Sequence, residues 1–485
     1  MSMLESLKNE TNYKLTENGG VTHKTSKSYV LDYFAQGSSL RNRYLNSIVE
    51  LFEKSYNENP LLTMKVLFNS RDIRHGQGER SVFNKLIKYL AINKTEVIEK
   101  NIELIPVFGR WDDIYALFDT PLQSKAIELI KKQLEKDLIS DNPSICAKWL
   151  KSENASSLET KRLAKITREG LGYTPKKYRK ILSTLRKKID IVETKITEGR
   201  FSDIEYDKLP SCAGLKYRNV FFTKDEERYC TFINSLSKGE RTINVGTLYP
   251  YDLVRKVREL NDYIVDSKQK DLLNNMWNNL PDFIGEDYSD TLAVIDVSGS
   301  MYGTPIEVAI SLGLYLAERN KGEFRNHFIT FSSNPKLVEI IGDNFVDKVK
   351  FIERANWGWS TNIEATFDLI LNTAIKNNLP QEDIPERIII ISDMEFDSAD
   401  DGCFGSKTNF DIIKEKFAKV GYEMPRLVFW NVNSRQNNIP ITMNENVQLV
   451  SGASARLFEQ VLKDVSAYDL MLEILNNEIY DCITV

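Results

Sequence analysis

The stretch TLAVIDVSGSM, residues 291 to 301, runs four apolar residues into a carboxylate, Asp296, and then sets two hydroxyls, Ser298 and Ser300, at alternate positions around a glycine. Small oxygen ligands at alternate positions of a tight loop can all face one hard divalent cation. Mg2+ in particular asks for near-octahedral oxygen ligands and keeps some of its waters. A second stretch, NWGWSTNIEATF, places Thr361 just ahead of a helical pattern. A third, RIIIIS, runs an aliphatic strand into Asp393. All three positions fall at strand–helix junctions, and in a doubly wound α/β sheet such junctions meet along one edge. The plainer reading is that Asp296 caps the next helix and the serines satisfy loop amides. Against it, Asp296, Ser298 and Ser300 could give three ligands from one loop to Mg2+, or to Mn2+ or Ca2+ in its place, with Thr361 and Asp393 at the junctions that meet that loop. Lying on a loop beyond its strand, Asp296 is expected outside the core.

The same residues argue against catalysis. VSGS is not a G-x-S-x-G nucleophile elbow, and the loop lacks the second aspartate of the DxDxT phosphatase nucleophile. The three histidines, His23, His75 and His327, are far apart, which disfavours a Ser-His-Asp triad. Cys146, Cys212, Cys230, Cys403 and Cys482 are odd in number and form no CxxC pair, so the expectation is a reduced, cytoplasmic protein without disulfides or a zinc ribbon. The start, MSMLESLKNETNYKL, lacks the basic and apolar regions of a secretory signal. No run approaches the roughly 20 apolar residues of a membrane span, so no membrane is expected.

The elements that must carry these residues fall into two kinds. Residues 291–485 hold 17 Lys+Arg against 28 Asp+Glu, whereas residues 1–290 hold 47 against 41. The acidic part suits a cation and the basic part a polyanion. Residues 1–37 read as an N-terminal arm. Residues 38–285 read as a series of amphipathic helices, such as GERSVFNKLIKYL and SKAIELIKKQLEKDL, with short polar links. Residues 286–485 alternate apolar strands (LAVID, HFITF, RIIIIS, RLVFWNV) with helices such as PIEVAISLGLYLAERN, which predicts a mostly parallel sheet covered on both faces. The expected class is therefore α + α/β.

Three stretches of the helical part carry charge. In SRDIRHGQGERSVF and IPVFGRWDDIYALF, Gly and Asp read as helix punctuation and Trp111 as a core anchor. In GYTPKKYRKILSTLRKKIDIVE, Thr174 and Pro175 open a helix as N-cap and N1. Its windings set Lys176, Arg179, Lys180, Arg186 and Lys187 on one stripe, opposite Tyr178, Ile181, Leu182, Leu185 and Ile189. Residues 161–190 contain 11 basic and 2 acidic side chains. Such a density of like charge opposes folding unless a polyanion or acids from elsewhere compensate it. Phosphate contact is the sharper reading and a solvated basic face the plainer one.

Two resemblances follow from these motifs. Asp-x-Ser-x-Ser after a strand, a later loop Thr and an Asp after a further strand resemble the metal-ion-dependent adhesion site of von Willebrand factor A domains. This implies Asp296, Ser298, Ser300, Thr361 and Asp393 as the ligands of the cation, with Met394 where many A domains have glycine, so that the loop need not take the usual turn. An α-helical solenoid followed by an A domain resembles the Ro ribonucleoprotein family, with its TROVE module. NSRDIRHGQGER, IPVFGRWDD, YRKILSTLRKKIDIVE and LYPYDLV resemble an uncharacterised Ro-related family of bacteria, phages, large viruses and plants. The resemblance implies HEAT-like repeats that close into a ring and RNA, single-stranded ends or small noncoding RNA, as partner. It implies Lys176, Lys177, Arg179, Lys180 and Arg186 as RNA contacts, to which the basic stripe itself adds Lys187. It also implies an A domain that offers its metal to an acidic residue of a partner protein. The expected function is non-enzymatic RNA binding. The alternatives are a metal-dependent protein–protein adaptor without RNA and, third, a metal-dependent phosphoesterase.

Overall fold

The computed structural model describes residues 12–260, 267–285, 290–355, 361–398, 407–443, 447–461 and 465–485; Cys403 and residues 356–360 of the NWGWST loop lie outside them. The architecture is α + α/β. The central sheet has six strands in the order β5-β4-β3-β6-β7-β8. They are β3 (Thr291–Ile295), β4 (His327–Thr330), β5 (Leu337–Glu339), β6 (Arg387–Ser392), β7 (Arg426–Asn431) and β8 (Gln448–Ser451). Every neighbouring pair is parallel except the β4–β5 hairpin at one edge. All residues of β3 and β6 are buried, as expected for central strands covered on both faces.

The order has a consequence for the site. From β3 the chain steps to β4 and β5 on one side, then returns to lay β6, β7 and β8 on the other. Right-handed crossovers put the helices of the two halves on opposite faces. The loops after β3 and β6 therefore diverge at the point where the winding reverses, where open α/β sheets bind ligands. The helix Thr304–Arg319 packs on β3 through Gly313, where a Cβ would come within 2.2 Å of Ile295 Cδ1, so the site allows no side chain.

The chain forms two compact units that do not follow the expected boundaries at 37 and 285. One comprises Met1–Val66 with Leu248–Glu478, the other Leu67–Thr247 with Ile479–Val485. The sheet unit thus takes in the arm, where β1 (Tyr13–Leu15) and β2 (Val21–His23) form an antiparallel hairpin, and the helices Tyr29–Gly37 and Leu45–Glu58. It also takes in Pro250–Arg258 and Ser267–Asn278. Burial explains the capture. Arg255 of the helix Pro250–Arg258 pairs with Glu307 at 2.7 Å, and Trp277 stacks on Phe345 at 4.3 Å.

In the helical unit the longer helices include Ser81–Asn93, Gln123–Ile139, Leu158–Gly170, Pro175–Lys188 and Ser211–Lys224. The C-terminal residues belong here, with Tyr480 stacked on Phe108 at 5.5 Å and its hydroxyl 2.9 Å from Asn69 Nδ2. The two punctuation motifs meet in a buried ion cluster. Asp113, wholly buried, accepts from Arg71 Nε at 2.9 Å, Arg80 Nε at 2.7 Å and the Arg110 amide at 2.8 Å. Gly109 is obligatory beside it, since a Cβ there would lie 2.4 Å from Asp113 Oδ2. Trp111 is only half-buried, so the core anchor at this place is the aspartate and not the indole.

Candidate functional site

At the winding reversal, the Asp296 amide donates to Ile391 O at 3.0 Å, which continues the β3–β6 ladder one residue beyond β3. Asp296 is fully buried, contrary to the expectation of a loop position outside the core. The parallel neighbour reaches past it. Its Oδ1 accepts the Ser298 N–H at 2.9 Å and its Oδ2 accepts the Ser392 hydroxyl at 2.7 Å. Ser298 and Ser300 turn their hydroxyls to each other at 3.0 Å. Asp393 follows β6 and is buried, with Oδ1 accepting the Glu395 amide at 3.2 Å. Burial first, and then the charge of Asp393, push the Asp296 carboxyl up to about 6.

Thr361 arrives from the third loop and is buried. Its hydroxyl donates to Glu395 O at 2.6 Å, or to Asp397 Oδ1 at 3.1 Å, and accepts from Asn18 Nδ2 at 3.1 Å. A hydroxyl has two lone pairs, so one remains for a further ligand. Met394 takes the left-handed conformation, φ 64°, which glycine adopts more readily than any residue with a side chain. The Met394 amide bonds Ser392 Oγ at 3.1 Å, which helps hold this disfavoured conformation.

The loops after β3 and β6 thus bring Asp296, Ser298, Ser300 and Asp393 to one edge, and Thr361 is tied to the β6 loop. Among the described residues no group of three or more His, Cys, Asp or Glu side chains is placed to hold a metal. A cation here would be held by the mixed set of two carboxylates and three hydroxyls. That set fits a hard cation: two buried carboxylates whose charges oppose each other gain from a positive ion, and all five donors are oxygen.

Several residues of this edge escaped the sequence reading. Glu395 and Asp397 follow Asp393 at alternate positions, the same signature as the first loop. Glu395 is fully buried, and burial raises its carboxyl above the ordinary value. Arg435, beyond β7, places Nε 3.2 Å from Asp393 Oδ2. Asn433 Nδ2 donates to Ser300 O at 3.3 Å. Polar side chains alternate at Asn431, Asn433 and Arg435 just past a strand, and that spacing was the available signal.

In the helical unit, the helix Pro175–Lys188 is capped as expected, Thr174 accepting from the Lys177 amide. Tyr178, Ile181, Leu182 and Leu185 are buried; Ile189 is half-buried. Lys176, Lys180 and Lys187 are exposed and fall within about 40° of one another on the helix. Among the described residues no ion pair forms with any of the three. Lys177 sits 4.2 Å from the Tyr173 ring centroid, and Arg179 Nε bonds Pro175 O at 3.3 Å.

Arg186 departs from the expected stripe. It lies roughly 100° round the helix from the centre of the three lysines, at the edge of the buried face. Its guanidinium is consumed by Ala147 O at 2.9 Å, Ser152 Oγ at 2.9 Å and Leu150 O at 2.7 Å. Burial lowers its pKa from the ordinary value. It ties the helix to the 147–152 segment. Of the other cations between 161 and 190, Arg162 pairs with Asp119 and Glu159, and Arg168 with Glu153 and Glu169.

Comparison with known proteins finds relatives that match most of the chain. Residues 16–137 and 138–286 match the family described as Domain of unknown function (DUF2828). Residues 290–478 match Domain of unknown function (DUF7788). The chain is 30% identical over 509 aligned positions to Uncharacterized protein L728 of Acanthamoeba polyphaga mimivirus, covering 96% of this chain and 87% of that one. Among solved structures, the Ro (RSR) protein of Deinococcus radiodurans aligns over 92% of this chain and 93% of its own, at 10% identity and a TM-score of 0.32, a likeness too weak to carry an argument. No described helix is long and apolar enough to cross a membrane. By the extent of the family match and of the mimiviral relative, the chain belongs to the DUF2828 family.

Proposed function

We propose that this chain is a non-enzymatic, Ro-like RNA-binding protein of the cytoplasm. Its helical repeats, HEAT-like in the sense of the Ro resemblance, would meet single-stranded or small structured RNA. Its α/β unit would hold a divalent cation in the manner of a von Willebrand factor A domain and offer it to an acidic residue of a protein partner. The observation that carries the RNA reading is the stripe of Lys176, Lys180 and Lys187. These three are exposed, share one face and have no ion pair among the described residues, while Arg162 and Arg168 nearby are neutralised. A stripe of uncompensated cations on a rigid helix suits a phosphate backbone, and contact with it releases counterions. Lys177 and Arg179 flank the stripe and extend it; Arg186 is withdrawn from it.

For the cation, Ser298, Ser300 and Thr361 would supply hydroxyl oxygens, and Asp296 and Asp393 the charge. When bound, Mg2+ would supply a Lewis-acidic position able to accept a carboxylate. The reading includes no turnover, since the sequence motifs offer no nucleophile elbow or DxDxT loop.

A second reading, a protein–protein adaptor without RNA, is favoured by the same oxygen set, because it needs only the α/β unit. Two measurements separate the readings. Protein purified at low salt should carry nucleic acid, seen as a raised ratio of absorbance at 260 to 280 nm. After its removal, a labelled single-stranded RNA should bind in fluorescence anisotropy at low salt. Absence of binding there contradicts the RNA reading and leaves the adaptor.

A further inference from the structure

The tip of the β1–β2 hairpin, residues 16 to 20, lies along the loop that follows β6. Thr16 Oγ1 donates to Phe396 O at 2.6 Å, and the Gly20 amide donates to the same oxygen at 3.2 Å. The Glu17 amide donates to Glu395 Oε2 at 2.9 Å. Two tip residues then reach two of the cation donors. Asn18 Nδ2 bonds the Thr361 hydroxyl directly, at 3.1 Å. Glu17 reaches Asp393 through an intermediary: Arg435 NH1 lies 2.7 Å from Glu17 Oε2 while Arg435 Nε lies 3.2 Å from Asp393 Oδ2. Gln436 Nε2 adds a bond to Glu17 Oε1 at 3.1 Å.

One guanidinium therefore serves two carboxylates, one on the cation site and one on the hairpin. Asp393 is buried, so the positive charge beside it is felt at low dielectric. Arg435 is about one-third exposed, so its bond to Glu17 is the more easily broken part.

We propose that Arg435 is an internal counter-cation which competes with the divalent metal for Asp393, and that through Glu17 it couples metal loading to release of the N-terminal hairpin tip. This rests on the cation reading of Asp296 and Asp393. A metal ion entering the site brings like charge toward the guanidinium and weakens its hold on Asp393. By linkage, whatever the metal does to the tip, the tip does to the metal. Asn18 is not in the competition, since the Thr361 hydroxyl keeps a lone pair beside it.

The experiment combines calorimetric titration of Mg2+ with hydrogen exchange of the amides of residues 14–20, in the wild type, Arg435→Gln and Arg435→Lys. Arg435→Gln should bind Mg2+ at least about fivefold more tightly, the lower end of ordinary coupling. Its tip amides should exchange faster than wild type without metal and respond little to Mg2+. In the wild type, Mg2+ should speed exchange of the Glu17 and Gly20 amides. Arg435→Lys keeps the charge and loses the bridging geometry. It should hold Mg2+ as the wild type does yet exchange faster at the tip. Equal Mg2+ affinity in wild type and Arg435→Gln overturns the competition, and tip exchange unchanged by Mg2+ or by Arg435→Gln overturns the coupling. No heat of Mg2+ binding in any of the three, with faster tip exchange in Arg435→Gln, overturns the cation reading itself and the competition with it.

Discussion

Removing the Arg186 guanidinium distinguishes a clamp from a contact. The group makes three hydrogen bonds, to Ala147 O, Leu150 O and Ser152 Oγ, at 2.7 to 2.9 Å. Bonds to a charged donor are worth about 1.5–3 kcal/mol each, and a carbonyl left without its donor costs more than the bond's net value. The three share one group and are not additive, and the group is only partly buried. Arg186→Gln should therefore destabilise the local structure by about 2–4 kcal/mol. The loss is local, so the assay is hydrogen exchange of residues 147–152 and of the helix Pro175–Lys188. At 1.4 kcal/mol per factor of ten, exchange in those segments should quicken by about 30- to 700-fold. The slope of log RNA affinity against log salt should stay as in the wild type. Exchange changed by less than about threefold, with the slope flattened by about 0.7, the value for one lost phosphate contact on a single strand, would refute the clamp and return Arg186 to the RNA surface.

Two further outcomes follow from buried carboxylates. Asp113→Asn leaves Arg71, 1% exposed, without its counter-charge; breaking such a buried pair costs about 3–5 kcal/mol, to be read as a lowered thermal midpoint at neutral pH. Burial alone would raise the Asp113 carboxyl, but Arg71 and Arg80 outweigh it and hold it below the ordinary value. The difference between wild type and variant should thus be full above the unfolded value near 3.8 and shrink as pH falls through the lower folded value. Asp296→Asn keeps an acceptor for the Ser298 amide and so keeps the fold, but removes a cation ligand. At Mg2+ one hundred times its dissociation constant the wild type should gain about 2.7 kcal/mol, seen as a raised thermal midpoint, and the variant should gain nothing.

The parts of the molecule legible in the sequence were those set by local pattern. RIIIIS and LAVID read as strands of a mostly parallel sheet, and the alternation Asp-x-Ser-x-Ser at a strand end placed the first loop. The helix after Thr174–Pro175 announced its own cap and buried face. What stayed illegible depends on pairing between distant segments. Nothing local in NYKLTENGGVTH says that its hairpin lies against residues 395–397, or that Tyr480 leaves the sheet unit for Phe108. Arg186 read as one more cation of a basic stripe, since only the carbonyls of Ala147 and Leu150, nearly 40 residues away, take it out of solvent. Asp113 read as punctuation for the same reason, its partners Arg71 and Arg80 lying in another motif. Asp296 read as a loop residue because the sequence does not tell that β6 runs one residue further alongside it.

The central claim is that Lys176, Lys180 and Lys187 meet phosphate, and its most direct test is the salt dependence of RNA binding. Wild type and the triple variant Lys176→Gln, Lys180→Gln, Lys187→Gln are compared by fluorescence anisotropy with one labelled single-stranded RNA at several salt concentrations. Each contact contributes about −0.7 to the slope of log affinity on log salt, so the triple variant should be flatter by about 2.1 units. The loss should be similar for RNAs of different sequence, because phosphate contacts read no bases. A wild type that binds RNA with a slope and affinity equal to those of the triple variant would contradict the account.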